Sequence, residues 1–548
     1  MTGNTLNPPR LPKLCGADIE LGNFILGLRR AGGTGYEASR ALLGEIDGLP
    51  RASSYYGSCY GANGGYQYYK YDPQDWGRKF LPVNGGCIYI DLDHLELCLP
   101  EVLSAWDHVA AWHALLRIAR GAQESANQKL PEGQHVQVLV NNSDGQGNSY
   151  GSHLDFLVTR RAWDNIFLRK LHYLAFLAAF QASSIIYTGQ GKVGAENRAP
   201  AVGYQISQRA DFFETLLGAQ TTYNRPIVNS RDEALCGRLR RVEAAGDPAR
   251  LHVIFFDSTL CHVSSLLKVG VMQIVLAMIE AEQVNAGLML DDPVEAVVEF
   301  SHDPMLEARA RLASGQRLTA LELQFLFLEE ARSFVAAGGC DGVVPGAQEI
   351  LAWWEDTLEK LQARDFGALA RRLDWVLKLY VLERAMEQRP ELDWEAPQIK
   401  HLDLVYSSLD AAEGLYWAYE RSGSVERVVS EEQIERFTQE PPEDTRAWTR
   451  AMLLRRASGE VAEVDWDSIR FKIRGRNYWP TYRTLELADP LGFTRAEAEP
   501  AFLETETLSQ ALDALDPEWG KSPDLPSREE IGKTGVLPYL PGDGFRPS

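Results

Sequence analysis

Apolar and polar positions alternate over Cys15–Gly22, CGADIELG, which predicts a short strand with Asp18 and Glu20 on one face. Helical spacing follows near Tyr36–Ile46. The turn Asn84-Gly85-Gly86 then opens an apolar, strand-favouring run, Cys87-Ile88-Tyr89-Ile90. Val102–Ala126 returns to helical spacing, and His135–Val140 has the look of a buried strand. From Asn141 to His153 there is no aliphatic residue, so a long polar loop is expected to enter the next strand, Phe156–Thr159. Phe167–Phe180 reads as an apolar helix and Arg250–Asp257 as another buried strand. Leu266–Gln283, Leu318–Ala337, Gln348–Leu361 and Phe366–Gln388 read as helices. Pro441-Pro442-Glu443-Asp444 starts a further helix through Arg456, because prolines and then acids suit a helix N-terminus.

With 548 residues the chain is long for one compact domain, so a large domain and a smaller one are expected. Residues 1–12 read as a flexible leader, and residues from 485 onward as a mostly extended tail rich in acids, proline and glycine. A net charge of −21 argues against nucleic acid and against an anionic membrane as partners. The seven cysteines are scattered without a C-x-x-C, which fits a reducing cytoplasm better than a disulfide framework or a zinc site. The first residues lack an apolar signal core, and with no run of about 18 apolar residues no membrane span is expected.

Chemistry concentrates where the strand at Cys87–Ile90 ends: Asp91, Asp93, His94, Glu96 and Glu101 follow within a few residues. Gathered carboxylates repel one another unless a proton or a metal ion compensates; a solvated strand end would look the same. Asp18 and Glu20 could likewise bind a divalent cation through hard oxygen ligands or simply line an exposed strand face. His153 stands at the end of the polar loop. The arginines of Ser207-Gln208-Arg209 and of Arg225–Arg231 suit phosphate or carboxylate, with surface ion pairs as the alternative. Thr188–Gly194, TGQGKVG, lacks the spacing of a phosphate-binding P-loop and the Ser/Thr after its lysine. Arg51–Trp76 is crowded with tyrosine and glycine, as a covering loop or a disordered insertion would be.

These residues resemble one family, the Pup ligase and the Pup deamidase/depupylase Dop. The resemblance runs from about Gly16 to about Ile473, through NGGCIYIDLDHLELCLPE, NNSDGQGNSYGSH, TGQGKVG, YQISQR, RPIVNSRDE, RLHVIFFD, LDWVLKLYVLER and PPEDTRAW. The interval from Asp91 to His94, together with DGQG, GSH and PPEDTRA, is closer to the Dop branch. The resemblance implies an α+β, glutamine-synthetase-like large domain over residues 13–415, with a curved, mainly antiparallel sheet packed with helices. A small C-terminal domain would follow over 416–484. It further implies ATP and Mg2+ as cofactors and a small Pup-like modifier as partner, with a link to a bacterial proteasome system. Asp91 would be nucleophile or water-activating base, and Asp18, Glu20, Glu96, Glu101 and His153 metal ligands. Arg209, Arg231, His252 and Arg446 would hold the nucleotide.

The chain departs from the family pattern at four places. GSHEN reads Gly151-Ser152-His153-Leu154-Asp155, and the histidine of RDEPHAD is Leu235. HPEY reads His94-Leu95-Glu96-Leu97, and Asp18 stands where a glutamate is usual. The implied function is an ATP-dependent amidohydrolase acting on a terminal glutamine or an isopeptide. A ligase working through a glutamyl phosphate and a non-catalytic nucleotide-binding accessory protein are the alternatives.

Overall fold

The computed structural model describes residues 10–30, 33–50, 57–60, 66–69, 76–232, 246–473 and 481–517. Eight strands make the main sheet: β1 (Cys15–Leu26), β2 (Leu49–Pro50), β3 (Trp76–Phe80), β4 (Cys87–Asp91), β5 (His94–Val102), β6 (His135–Leu139), β7 (Ser152–Thr159) and β8 (Pro248–Val253). Their order is β8-β7-β1-β5-β4-β3-β2, every neighbour antiparallel, and β6 pairs with the second half of β1. β1 is therefore the central strand. Its first half lies between β5 and β7, and at Gly22 it passes over to β6. A Cβ at Gly22 would run into the Tyr150 hydroxyl and the Asn141 side chain, so the crossing point has room only for glycine.

Alternation decides the two faces. Ala17, Ile19 and Leu21 of β1, Leu95, Leu97 and Leu99 of β5, and Leu154 and Phe156 of β7 are buried in the main core. Burial of Ile19 and Leu21 is worth roughly 1.5–3 kcal/mol each. Between them fall the polar positions of the same strands, which share the other face.

α1 (Gly35–Gly44) and α2 (Ala105–Lys129) pack on the sheet, and α3 (Leu171–Thr188) packs against α4 (His262–Glu280), which itself meets β7 and α2. Ser104 starts α2 by accepting hydrogen bonds from the Trp106 and Asp107 amides. α3 and α4 are long and apolar enough to cross a membrane, which the expectation drawn from short apolar runs had not allowed for. Both are core helices here, the apolar window of α4 being wholly buried.

The helix expected over Phe366–Gln388 is broken into Phe366–Leu369 and α5 (Asp374–Gln388). The break has a tertiary cause: the buried Asp374 carboxylate accepts hydrogen bonds from the Leu260 and Cys261 amides and the Tyr406 hydroxyl. The helix after Pro441-Pro442 is α6 (Ala447–Arg456), and a three-stranded antiparallel sheet spans Val461–Glu486.

Two compact units divide the chain, Met1–Glu497 and Ala498–Ser548. The expected extended tail is corrected by two helices, Arg495–Leu503 and Leu508–Leu515, the latter capped by Thr507 and Gln510. Residues 518–548 of that tail lie outside the described residues. So do residues 1–9 of the leader, while the Leu11 amide donates to buried Glu280 and is thereby held in place. Most of the Tyr-rich stretch is also outside them. Within it, Gly57–Tyr60 pairs antiparallel with Tyr66–Tyr69, and Trp76 at its end lies opposite Ile90, the residue before Asp91.

Candidate active site

The polar face of the sheet collects the acidic and imidazole side chains because register aligns them. Glu20 on β1 lies opposite Glu96 on β5, and Glu96 lies opposite Tyr89 on β4. On the other side Asp18 lies opposite His153, and Asp155 lies opposite His252. Cross-strand partners have adjacent side chains, so five strands contribute to one surface.

Two clusters result. Glu20, Asp91 and Glu96 can present one oxygen each within 4.8 Å of one another, and Asp18, His153 and His252 do the same with oxygen and nitrogen. The sequence reading pooled Asp18 and Glu20; the sheet hands them to neighbouring but different groups.

Asp91 ends β4, and a two-residue connection, Leu92-Asp93, leads into β5. Asn23 and Ser39 brace that connection by donating to the Asp93 carbonyl at 3.1 and 2.8 Å. Asn23 also accepts from the Leu95 amide at 2.9 Å. His94 is in neither cluster; it stacks on Tyr150 with ring centroids 4.3 Å apart and bonds the Leu21 carbonyl.

Burial and mutual repulsion set the electrostatics of the first cluster. Glu20 accepts a hydrogen bond from the Gly151 amide. Glu96 is 2% exposed, and its Oε2 has no hydrogen-bond partner among the described residues. Burial and then the charges of Asp18, Asp91 and Glu20 push the Glu96 carboxyl well above the usual range. An all-oxygen donor set with one orphaned buried oxygen fits Mg2+, which prefers carboxylates and phosphates.

In the second cluster His153 Nδ1 donates to Asp18 Oδ2 at 3.1 Å, and the His153 and His252 rings meet edge to face at 5.0 Å. Burial would raise the Asp18 carboxyl, but the bond from His153 and the charges of His153, His252 and Arg250 hold it well below its ordinary value. This mixed donor set suits a borderline cation such as Mn2+ as well as Mg2+.

Two of the expected site residues are engaged elsewhere. Glu101 is absent from both clusters. It lies between two arginines, accepting from Arg446 Nε at 2.8 Å and from Arg450 Nη2 at 2.5 Å. Arg450 and Arg446 overcome the effect of burial and hold the Glu101 carboxyl down at about 2. Glu101 and Arg446 thus tie β5 to α6.

The remaining arginines differ in placement. Arg209 is fully buried and bonds the Tyr150 and Ile254 carbonyls, bracing the loop that carries Gly151. Burial lowers its pKa to about 9, and Glu20 is among the charges it feels. Arg231 follows Asn229, whose side chain accepts from its amide; Asp232 makes a two-pronged pair with Arg160, and Glu233–Ala245 lie outside the described residues. Lys192 of TGQGKVG is buried against Glu196 and Asp211, so that segment is no phosphate loop.

Asp155 and Arg250, which meet at His252, and Asp257 carry no signal of their own in residue spacing. Asp257 accepts from the Gln190 and Gln208 amides and so joins the TGQG and SQR segments. Only the RLHVIFFD motif pointed toward it.

An antiparallel sheet bearing carboxylates and imidazoles on one face, backed by long helices, is a glutamine-synthetase-like fold. The fold is shared with a solved complex of the prokaryotic ubiquitin-like protein Pup and its ligase PafA (TM-score 0.72, 24% identity, 97% of this chain and 99% of that one). It is shared too with PafA in complex with ADP (TM-score 0.66, 26% identity, 83% and 92%). The chain belongs to the Pup-ligase protein family, which it matches over residues 61–470. A depupylase of Acidothermus cellulolyticus is 37% identical over 437 residues, 79% of this chain and 82% of that protein. A Pup–protein ligase of Acidimicrobium ferrooxidans is 36% identical over 422 residues, 76% and 88%.

Proposed function

We propose that this chain is an ATP- and Mg2+-dependent amidohydrolase acting on a Pup-like modifier, at its terminal glutamine or at its isopeptide bond to lysine. The observation that carries the reading is the placement of Asp91 at a strand end beside the buried Glu20–Glu96 pair. A carboxylate in that position is kept ionised by a neighbouring cation, as a base must be. Glu20 and Glu96 would hold Mg2+, with Asp18, His153 and His252 beside them. Mg2+ when bound supplies charge stabilisation to phosphate or carbonyl oxygen.

Asp91 would accept the proton of a water that adds to the amide carbonyl. The carbon–nitrogen bond then breaks, and ammonia or the lysine amine leaves with that proton. A PafA structure holding ADP supports the nucleotide, which Arg209 and Arg231 would contact, and relatives named depupylase and Pup deamidase/depupylase support the direction of the reaction. The buried thiols of Cys15, Cys87, Cys98, Cys261 and Cys340 suit a reducing cytoplasm, where a proteasome-linked modifier would be met.

A relative named Pup–protein ligase favours the second reading, in which a glutamate carboxylate is phosphorylated and then captured by lysine. Incubation with ATP and three substrates separates the two: a Gln-ending Pup, a Glu-ending Pup with acceptor protein, and a Pup–lysine conjugate, each followed by mass spectrometry. The hydrolase reading expects glutamate formation from the first and release of Pup from the third. Conjugation of the second without either hydrolysis would replace it with the ligase.

A further inference from the structure

Asp155 on β7 lies opposite His252 on β8, and the carboxylate meets the imidazole across the two strands. His252 Nδ1 has two neighbours. Asp155 Oδ1 is 2.8 Å away, and Arg250 Nη2 is 3.0 Å away. The first can only accept a proton and the second can only donate one, so they favour opposite tautomers of a neutral imidazole. Arg250 Nε donates to the same Asp155 oxygen at 2.7 Å, so the carboxylate draws on both groups. The other ring nitrogen, Nε2, is buried in a residue 2% exposed and has no hydrogen-bond partner among the described residues. His252 belongs to the cluster with Asp18 and His153, and Nε2 is its ring nitrogen that neither Asp155 nor Arg250 engages. A buried N–H without an acceptor is costly, whereas a buried lone pair beside a cation is what a ligand needs.

We infer that Asp155 is a positioning residue that selects the His252 tautomer, keeping the proton on Nδ1 and the Nε2 lone pair turned toward the Asp18–His153 cluster. The inference rests on the reading of that cluster as part of a cation site. Arg250 is the opposing element. Without the carboxylate, its guanidinium would donate to Nδ1, the proton would reside on Nε2, and the ring would present a donor where a cation needs a lone pair. The pairing is a cross-strand one between β7 and β8, so it is set by sheet register and not by a mobile loop.

The test uses full-length protein with 15N-labelled histidine and Mn2+ as a paramagnetic probe, without turnover. In the metal-free wild type, the His252 signals (assigned with His252→Gln) should show a protonated Nδ1 and an unprotonated Nε2. Asp155→Leu should reverse that pattern and weaken Mn2+ binding about 10–100-fold, the scale for removing a ligand's supporting hydrogen bond. Asp155→Asn keeps an oxygen acceptor at the same place and should preserve the tautomer and most of the affinity. Asp155→Leu with Arg250→Met removes both competing partners and should recover part of the affinity, which a merely misfolded Asp155→Leu would not permit. A wild-type His252 protonated on Nε2, or an Asp155→Leu protein with unchanged tautomer and affinity, overturns the inference. If the wild type does not bind Mn2+, the cation-site reading fails, and the nitrogen signals of wild type and Asp155→Leu still decide whether Asp155 selects the tautomer.

Discussion

Leu92 adopts φ +50° in the connection between Asp91 and β5, a conformation that costs a branched apolar side chain about 1 kcal/mol. Its side chain is 46% exposed, so packing does not repay that cost. Strain held beside a reacting group is retained when neighbours over-determine it, and the Asn23 and Ser39 bonds to Asp93 do so here. Leu92→Asn should therefore raise stability to urea by about 1 kcal/mol, since asparagine tolerates the left-handed region. A loss of stability would show that Leu92 makes contacts that matter more than its backbone. Much of this site was legible at the residue scale: period-two alternation put Asp18 and Glu20 on one face, and the acid-rich segment drew attention to Asp91 and Glu96. Their division between two clusters was not, because it depends on which strands flank β1.

The Glu101 clamp belongs to the element scale, since it fastens β5 to α6 through Arg446 and Arg450. The folded pKa of about 2 lies below the ordinary 4.5, so folded Glu101 gives up its proton more readily than unfolded Glu101. Its contribution is then complete above about pH 4.5 and is lost as pH falls toward about 2. The displacement corresponds to roughly 3 kcal/mol. Glu101→Gln leaves two buried guanidinium groups short of a counter-charge and should cost about 3–5 kcal/mol at neutral pH. Urea titrations across pH should show the wild type losing stability faster than the variant between pH 4.5 and 2; parallel curves would refute the clamp. No local pattern could disclose this pair, because Glu101 sits in an acidic run and its partners lie on a distant helix. The break before Asp374 was hidden for the same reason. Its residues have helical spacing, and only the Leu260–Cys261 turn that they cap explains the interruption.

For the whole molecule, a large sheet with helices behind it was foreseeable from the motifs, whereas the helices at Arg495–Leu515 fell in a segment whose acids and prolines suggested an extended chain. Binding of Mg2+–ATP to the folded state alone should raise its stability by about 2.7 kcal/mol at a ligand concentration a hundred times Kd. Thermal melts should show the rise in wild type and lose it in Glu20→Ala. In Glu96→Gln, relief of carboxylate crowding should leave the metal-free protein no less stable while the Mg2+–ATP rise disappears. An undiminished rise in both variants would remove these carboxylates from the cation site. Asp91 carries the proposed chemistry, and its replacement by asparagine keeps the shape and removes the charge. Its measurement is single-turnover hydrolysis of a Gln-ending Pup and of a Pup–lysine conjugate by wild type and Asp91→Asn at saturating Mg2+–ATP, with nucleotide affinity determined alongside. The expected result is unchanged affinity with hydrolysis reduced at least ~100-fold, the scale of a lost general base. An Asp91→Asn protein that hydrolyses either substrate at the wild-type rate would contradict it.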